Sequence, residues 1–183
     1  MGMLIGEKVE LRQWQKETDF DFGRILGWII DPEVMKFVGF YKKTCDFKTG
    51  LEVKQFFKKL EDSIFWGIYL IDSDIPIGWT SLSHFTGDAC EFGIFICEKK
   101  YWGKGIGTEV TKILSDYALN NMNMKQVVLT TCDLNIGGIK AYQRAGFVVQ
   151  SIDQGARTVF IDGKWQSAGT VKMAKTKPVS GRA

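Results

Sequence analysis

The segment YWGKGIGTE, Tyr101–Glu109, sets glycine at 103, 105 and 107, with Lys104 and Thr108 beside them. An alternating apolar run precedes it and an amphipathic stretch follows, so it reads as a strand-to-helix turn. There the first N–H groups of the helix lack intrahelical partners and the helix dipole adds positive character, which favours an anion. Glycines remove the side chains that would hold a phosphate away from the backbone. Lys104 offers a charge and Thr108 a hydroxyl. The same glycines also fit a tight turn with no ligand. Two candidate proton acceptors lie upstream. Glu91 interrupts an apolar strand that leads straight into the loop, and strand alternation puts it on one face with Gly93 and Phe95. His84, the only histidine, sits across the same hairpin. Cys45, Cys90, Cys97 and Cys132 form no CxxC pair, so free thiols in a reducing compartment are expected and a structural zinc site is not. Nothing beside Cys132 resembles an activating histidine, which argues against a covalent cysteine intermediate.

The elements that must position these residues follow from periodicity. Val9 and Leu11 alternate as a first strand. Thr18 could cap a helix through Phe22, Ile25, Leu26 and Ile29, and Asp31–Pro32 restarts a short helix over Val34–Val38. Residues 39–49 have no clear period and read as a loop, followed by a helix marked by Leu51, Phe56, Phe57 and Leu60. The pattern then changes to strands over 64–71, 77–85 and 90–96, with turns at 72–74 and 86–88 and Pro76 confined to a strand start. After the glycine loop come a long helix (Ile106, Val110, Ile113, Leu114, Tyr117, Ala118), a strand over 126–131, and a short helix over 136–145 ended by Gly146. Strands over 147–151, 157–161 and 165–173 close the chain, with Asp162–Gly163 as a hairpin signal. The domain is expected to span 1–174, with 175–183 as a flexible tail.

The chain has 183 residues, which suits one domain, and 24 basic against 21 acidic residues leave a net charge of +3. That charge is too small and too scattered to suggest nucleic-acid binding. No apolar run approaches the ~20 residues of a membrane helix, and the N-terminus has no secretory h-region. A cytoplasmic protein without membrane attachment is expected.

Three phosphate-binding plans compete for the glycine loop. A P-loop needs GxxxxGK followed by Ser or Thr, which is absent. A dinucleotide fingerprint starting at Gly105 would find Val110 at its third glycine, and a meander precedes the loop where a parallel βαβ unit would be needed. The third plan fits: Trp102-Gly103-Lys104-Gly105-Ile106-Gly107 resembles the coenzyme A pyrophosphate motif of the GNAT superfamily, with Trp102 where that family has Gln or Arg. A second block, Asn135–Phe147 (NIGGIKAYQRAGF), is similar to the family's Asn…Ala…Tyr…Gly-Phe pattern, with Gly138 replacing a usual Ala or Ser. Residues 31–35 and the closing hairpin look like the branch of ribosomal-protein N-terminal and spermidine acetyltransferases.

The resemblance implies an α/β fold: a single GNAT-type domain with a mixed, mostly antiparallel central sheet flanked by helices. It implies an acetyl-CoA site formed by Phe95, Ile96, Trp102, Gly103, Lys104, Gly105, Ile106, Gly107, Thr108, Asn135, Gly138 and Tyr142, and no metal. The implied activity is direct transfer of an acetyl group to a primary amine in a ternary complex. Glu91 would be the base, with His84 as its alternative, and Tyr142 the proton donor. The acceptor could be a protein N-terminus, a polyamine, an aminoglycoside or an amino acid, and the chain a monomer or homodimer. Trp28, Phe37, Phe40, Tyr41 and Phe47 offer aromatic faces for a cation, and Asp31, Glu33, Asp46 and Glu52 could pair with it. The alternative is a catalytically silent acyl-CoA-binding sensor or scaffold.

Overall fold

The computed structural model describes residues 3–15, 19–60 and 62–177. Strands β1 (Met3–Ile5) and β2 (Val9–Trp14) lead into the helices α1 (Phe22–Ile29), α2 (Pro32–Met35), α3 (Tyr41–Thr44) and α4 (Gly50–Lys58). The meander β3 (Ile64–Leu70), β4 (Pro76–Thr86) and β5 (Ala89–Ile96) then passes through a 3-10 turn at Lys99–Tyr101 to α5 (Ile106–Asn120). β6 (Gln126–Cys132), α6 (Ile136–Arg144), β7 (Val148–Ile161) and β8 (Lys164–Thr176) follow. All eight strands share one sheet in the order β1-β2-β3-β4-β5-β6-β8-β7. Every pair is antiparallel except β5–β6. The mixed, mostly antiparallel sheet is the one expected.

Strand alternation divides the apolar residues between two cores. On one face Val9, Leu11, Ile68, Leu82, Phe92, Val127 and Leu129 meet Ile106, Val110, Leu114 and Ala118 of α5, spaced one helical turn apart. On the other, Trp14, Phe65, Trp79 and Phe95 meet Ile25, Trp28 and Ile29 of α1, Met35 of α2, and Val53 and Phe57 of α4. Each fully buried aliphatic or aromatic side chain contributes about 1.5–3 kcal/mol, so these faces fix which way the strand residues point. Caps start the short helices. Asp31 Oδ1 accepts from the N–H of Glu33 (2.8 Å) and of Val34 (3.3 Å) ahead of Pro32. Thr49 and Glu52 form a reciprocal capping box on α4.

The structure departs from the sequence reading at the edges of elements. The Thr18 cap lies outside the described residues; Asp21 accepts from the Arg24 N–H and caps α1. The segment read as a loop over 39–49 holds α3, and α2 ends at Met35, short of Val38. β1 was not read at all. The strands placed at 147–151 and 157–161 are one strand, β7, with register shifts at Val149/Ser151 and Asp153/Arg157. Lys175 and Thr176, given to the tail, belong to β8: Lys175 is level with Val127, and its ammonium donates to Ser115 Oγ (3.0 Å) and Asp116 Oδ1 (2.6 Å) of α5. Residues 178–183 lie outside the described residues.

Candidate active site

Gly103 and Gly105 take φ of +71° and +82°, the left-handed region that side chains resist, and Gly105 is the N-cap of α5. The first intrahelical bond runs from the Glu109 N–H to the Gly105 carbonyl at 3.1 Å. The N–H groups of Ile106, Gly107 and Thr108 take no partner among the described residues. Those three residues, with Gly103 and Gly105, wall a cavity of about 520 Å³. Trp102, also on its wall, donates its indole N–H to the Ile96 carbonyl at 2.7 Å. The residue that departs from the family motif is thus a strut between the loop and the end of β5. Lys104 is not on the wall; its ammonium lies 5.5 Å from the Tyr101 ring centre. The loop is held from outside by Lys8, which sequence reasoning missed. Its ammonium donates to the Lys104 carbonyl at 3.1 Å, and its N–H donates to Glu109 Oε1 at 2.9 Å.

The cavity exists because β5 and β6 part. They pair only at Ala89/Gln126, Cys90/Val127 and Glu91/Val128. Beyond Glu91, β5 stays with β4, and beyond Val128, β6 stays with β8. Ile94, Phe95 and Ile96 line one wall, and Leu134 to Gly138 line another. Glu91 therefore stands at the vertex, the last β5 residue paired to β6. Its Oε2 lies 3.2 Å from His84 Nδ1, with the side chains 35% and 76% exposed. His84 has φ +47° where β4 bulges, and the same ring nitrogen is 3.1 Å from Ser83 Oγ. The two candidate bases are thus brought together with each other, and neither walls the cavity.

α6 supplies the remaining wall. Asn135 caps it: Oδ1 accepts from the Gly138 N–H and Nδ2 donates to Thr131 Oγ1, both at 3.1 Å. Its side chain lines the cavity while committed to holding α6 against β6. A Cβ at position 138 would run into that side chain, so glycine here matches the Asn135 conformation. One turn on, Tyr142 reaches the cavity and sets its ring edge-on to Phe92 and Phe147, with centres 6.5 Å apart in each case. Burial pushes the phenol pKa up to about 12, against a smaller opposing effect of the Arg157 charge, so Tyr142 is a protonated donor at neutral pH. Gly146, at φ +96°, ends the helix as expected.

Burial pushes the thiols of Cys90, to about 11, of Cys97 and of Cys132 upward, the reverse of an activated nucleophile. The acids proposed for amine recognition divide. Burial alone would raise the Asp31 pKa, but its bond to Lys99 (2.7 Å) and its two capping N–H groups outweigh that and hold it low. Glu52 is spent on its capping box. Glu33 does wall the cavity, paired to Lys36 at 3.3 Å, and Phe37 walls it too. Tyr101, Leu134 and Arg144 line it without having been singled out from sequence.

A family model described as an acetyltransferase (GNAT) domain matches residues 8–148. The chain belongs to the GNAT acetyltransferase family. This GNAT chain is 28% identical over 109 residues to a probable N-acetyltransferase, YjcK, of Bacillus subtilis (strain 168), over 58% of its own length and 59% of that relative's. It shares the fold of a spermidine N-acetyltransferase from Vibrio cholerae solved with CoA and spermine (TM-score 0.75, 17% identity, 92% of this chain and 95% of that one). It also shares the fold of RimL, a ribosomal L7/L12 α-N-protein acetyltransferase solved with coenzyme A (TM-score 0.76, 11% identity, 96% and 98%). The expected branch thus appears among its structural neighbours.

Proposed function

We propose that the chain is an acetyl-CoA-dependent N-acetyltransferase that moves the acetyl group directly to a primary amine. The observation that carries this reading is the meeting of two features in one cavity: three unpartnered N–H groups at the start of α5, and the protonated hydroxyl of Tyr142. The N–H groups of Ile106, Gly107 and Thr108 suit a pyrophosphate. The volume, about 520 Å³, falls in the range of small-molecule sites, roughly 300–1,000 Å³.

Acetyl-CoA supplies an acyl group activated as a thioester. The acceptor is an alkyl ammonium at neutral pH and must lose a proton before its nitrogen can attack. On this reading Glu91 at the vertex takes that proton, and His84, 3.2 Å away and largely exposed, connects it with solvent. The new C–N bond replaces the C–S bond, Tyr142 gives its proton to the departing sulfur, and the second proton lost by the nitrogen restores the phenol. The net products are amide, free thiol and one proton.

The test is release of free thiol from acetyl-CoA with a panel of primary amines, together with calorimetric binding of acetyl-CoA and of NAD. Acetyl-CoA should bind, NAD should not, and at least one amine should release thiol. Binding of acetyl-CoA without release from any amine would replace this reading with that of an acyl-CoA sensor.

A further inference from the structure

Arg157 is a charged group that the mechanism above does not use. From β7 its side chain crosses the sheet face that carries Glu91. Nε donates to Thr170 Oγ1 on β8 (3.3 Å), Nη2 to Thr130 Oγ1 on β6 (3.4 Å), and Nη1 to the Phe37 carbonyl (3.2 Å). All three acceptors are neutral. A guanidinium has five N–H donors, so two remain. Among the described residues no ion pair involves Arg157, although Arg12, Arg24 and six lysine or histidine side chains of this chain do have carboxylate partners.

The position matters as much as the missing partner. Thr130 lies on β6 two residues beyond Val128, where the strands have begun to part, and is exposed. Val128 is level with Glu91, so alternation places Glu91, Thr130 and the guanidinium on the same face of the sheet. Strand spacing and rise put the Cα atoms of Glu91 and Thr130 roughly 8 Å apart. Phe37, whose carbonyl Arg157 holds, is itself part of the cavity wall. Taking a guanidinium out of water with no carboxylate in contact is costly, and burial draws the Arg157 pKa down from its ordinary value, against smaller opposing effects that include the more distant Glu91 and Asp133 carboxylates. A ligand anion would relieve that cost.

We propose that Arg157 anchors a carboxylate of the acceptor, so that the amine acetylated by this chain belongs to a molecule carrying its own carboxylate, and is not a polyamine. This rests on the acetyltransferase reading: the ammonium end faces Glu91 and the carboxylate end faces Arg157. A second ammonium at that place would meet the guanidinium instead.

Thiol release should be measured with free amino acids, their carboxamides, short peptides opening with Asp or Glu, and spermidine. Wild type should favour each carboxylate over its carboxamide by about 10- to 100-fold in kcat/KM, the range for a hydrogen bond to a charged group. Release from free amino acids marks a small acceptor, and release from the acidic peptides alone marks a protein N-terminus; either supports the anchor. Arg157→Gln should erase the preference, raising KM for carboxylates far more than for their carboxamides. Were Arg157 only a strut between strands, the variant would slow all acceptors alike. Because the preference is read first in wild type, a variant that fails to fold does not remove the test. Spermidine or carboxamides turning over as fast as carboxylates would overturn the anchor and leave the acetyltransferase reading standing. No release from any acceptor would overturn both.

Discussion

At Tyr142, burial outweighs the opposing Arg157 charge, and the pKa of about 12 keeps the hydroxyl a donor across the working range. Tyr142→Phe should leave acetyl-CoA affinity nearly unchanged and lower turnover by about 10²–10⁴-fold, the scale of a positioned proton donor. The same group contributes to stability. Its folded pKa lies above the ordinary phenol value of 10.0, so its contribution is complete below pH 10 and is lost as pH climbs from 10 to about 12. Chemical denaturation across that window should show a loss in wild type that Tyr142→Phe lacks. Glu91 is tested by pH in another way. If it accepts the amine proton, Glu91→Gln should slow kcat/KM at neutral pH and recover in part as pH rises, because more acceptor arrives already neutral. His84→Gln, which leaves that carboxylate in place, should show a smaller loss. Full alkaline recovery in the His84 variant alone would move the base to His84.

The elements that build the site were legible in the sequence where the signal is local. The glycine spacing 103-105-107, the helix period of α5 and the Asn135…Gly146 frame of α6 are each contained in a short stretch of chain, and the structure places these elements as read. What escaped depended on partners far along the chain. Lys8 reaches the glycine loop across 96 residues, and Arg157 reaches Phe37 across 120. α3 has four residues and no side-chain cap, so nothing local announces it. β7 read as two strands because residues 154–156 include Gly155 at φ +65° where the register shifts. Within the loop, conformation separates the residues. Gly105→Val would force a branched side chain into φ +82°, a left-handed conformation it resists, and set its Cβ against the Lys8 ammonium that holds the loop, whereas Lys104→Ala removes a side chain that is not on the wall. Calorimetry on folded protein should show acetyl-CoA binding largely lost in the first and nearly intact in the second; equal binding in both would disprove the loop assignment.

For the molecule as a whole, the C-terminal boundary carries a measurable consequence. Lys175 and Thr176 pair with Val127 and Gln126, and the Lys175 ammonium, whose side chain is only 13% exposed, ties β8 to α5. A chain ending at Ala174 should therefore melt below one ending at Lys177 by several degrees, on the order of a 1–2 kcal/mol loss. Equal melting temperatures would return the boundary to 174.

Three paired residues on each side join β1–β5 to the wing formed by β6, β8 and β7. Beyond that seam the two wings are bridged by helix packing and by whatever fills the wedge between them. On the proposed reading the filler is acetyl-CoA, which then acts as a keystone as well as a reagent. Its binding should therefore raise the melting temperature and slow amide exchange along β6. The stiffness of the enzyme is thereby coupled to the supply of its own acyl donor.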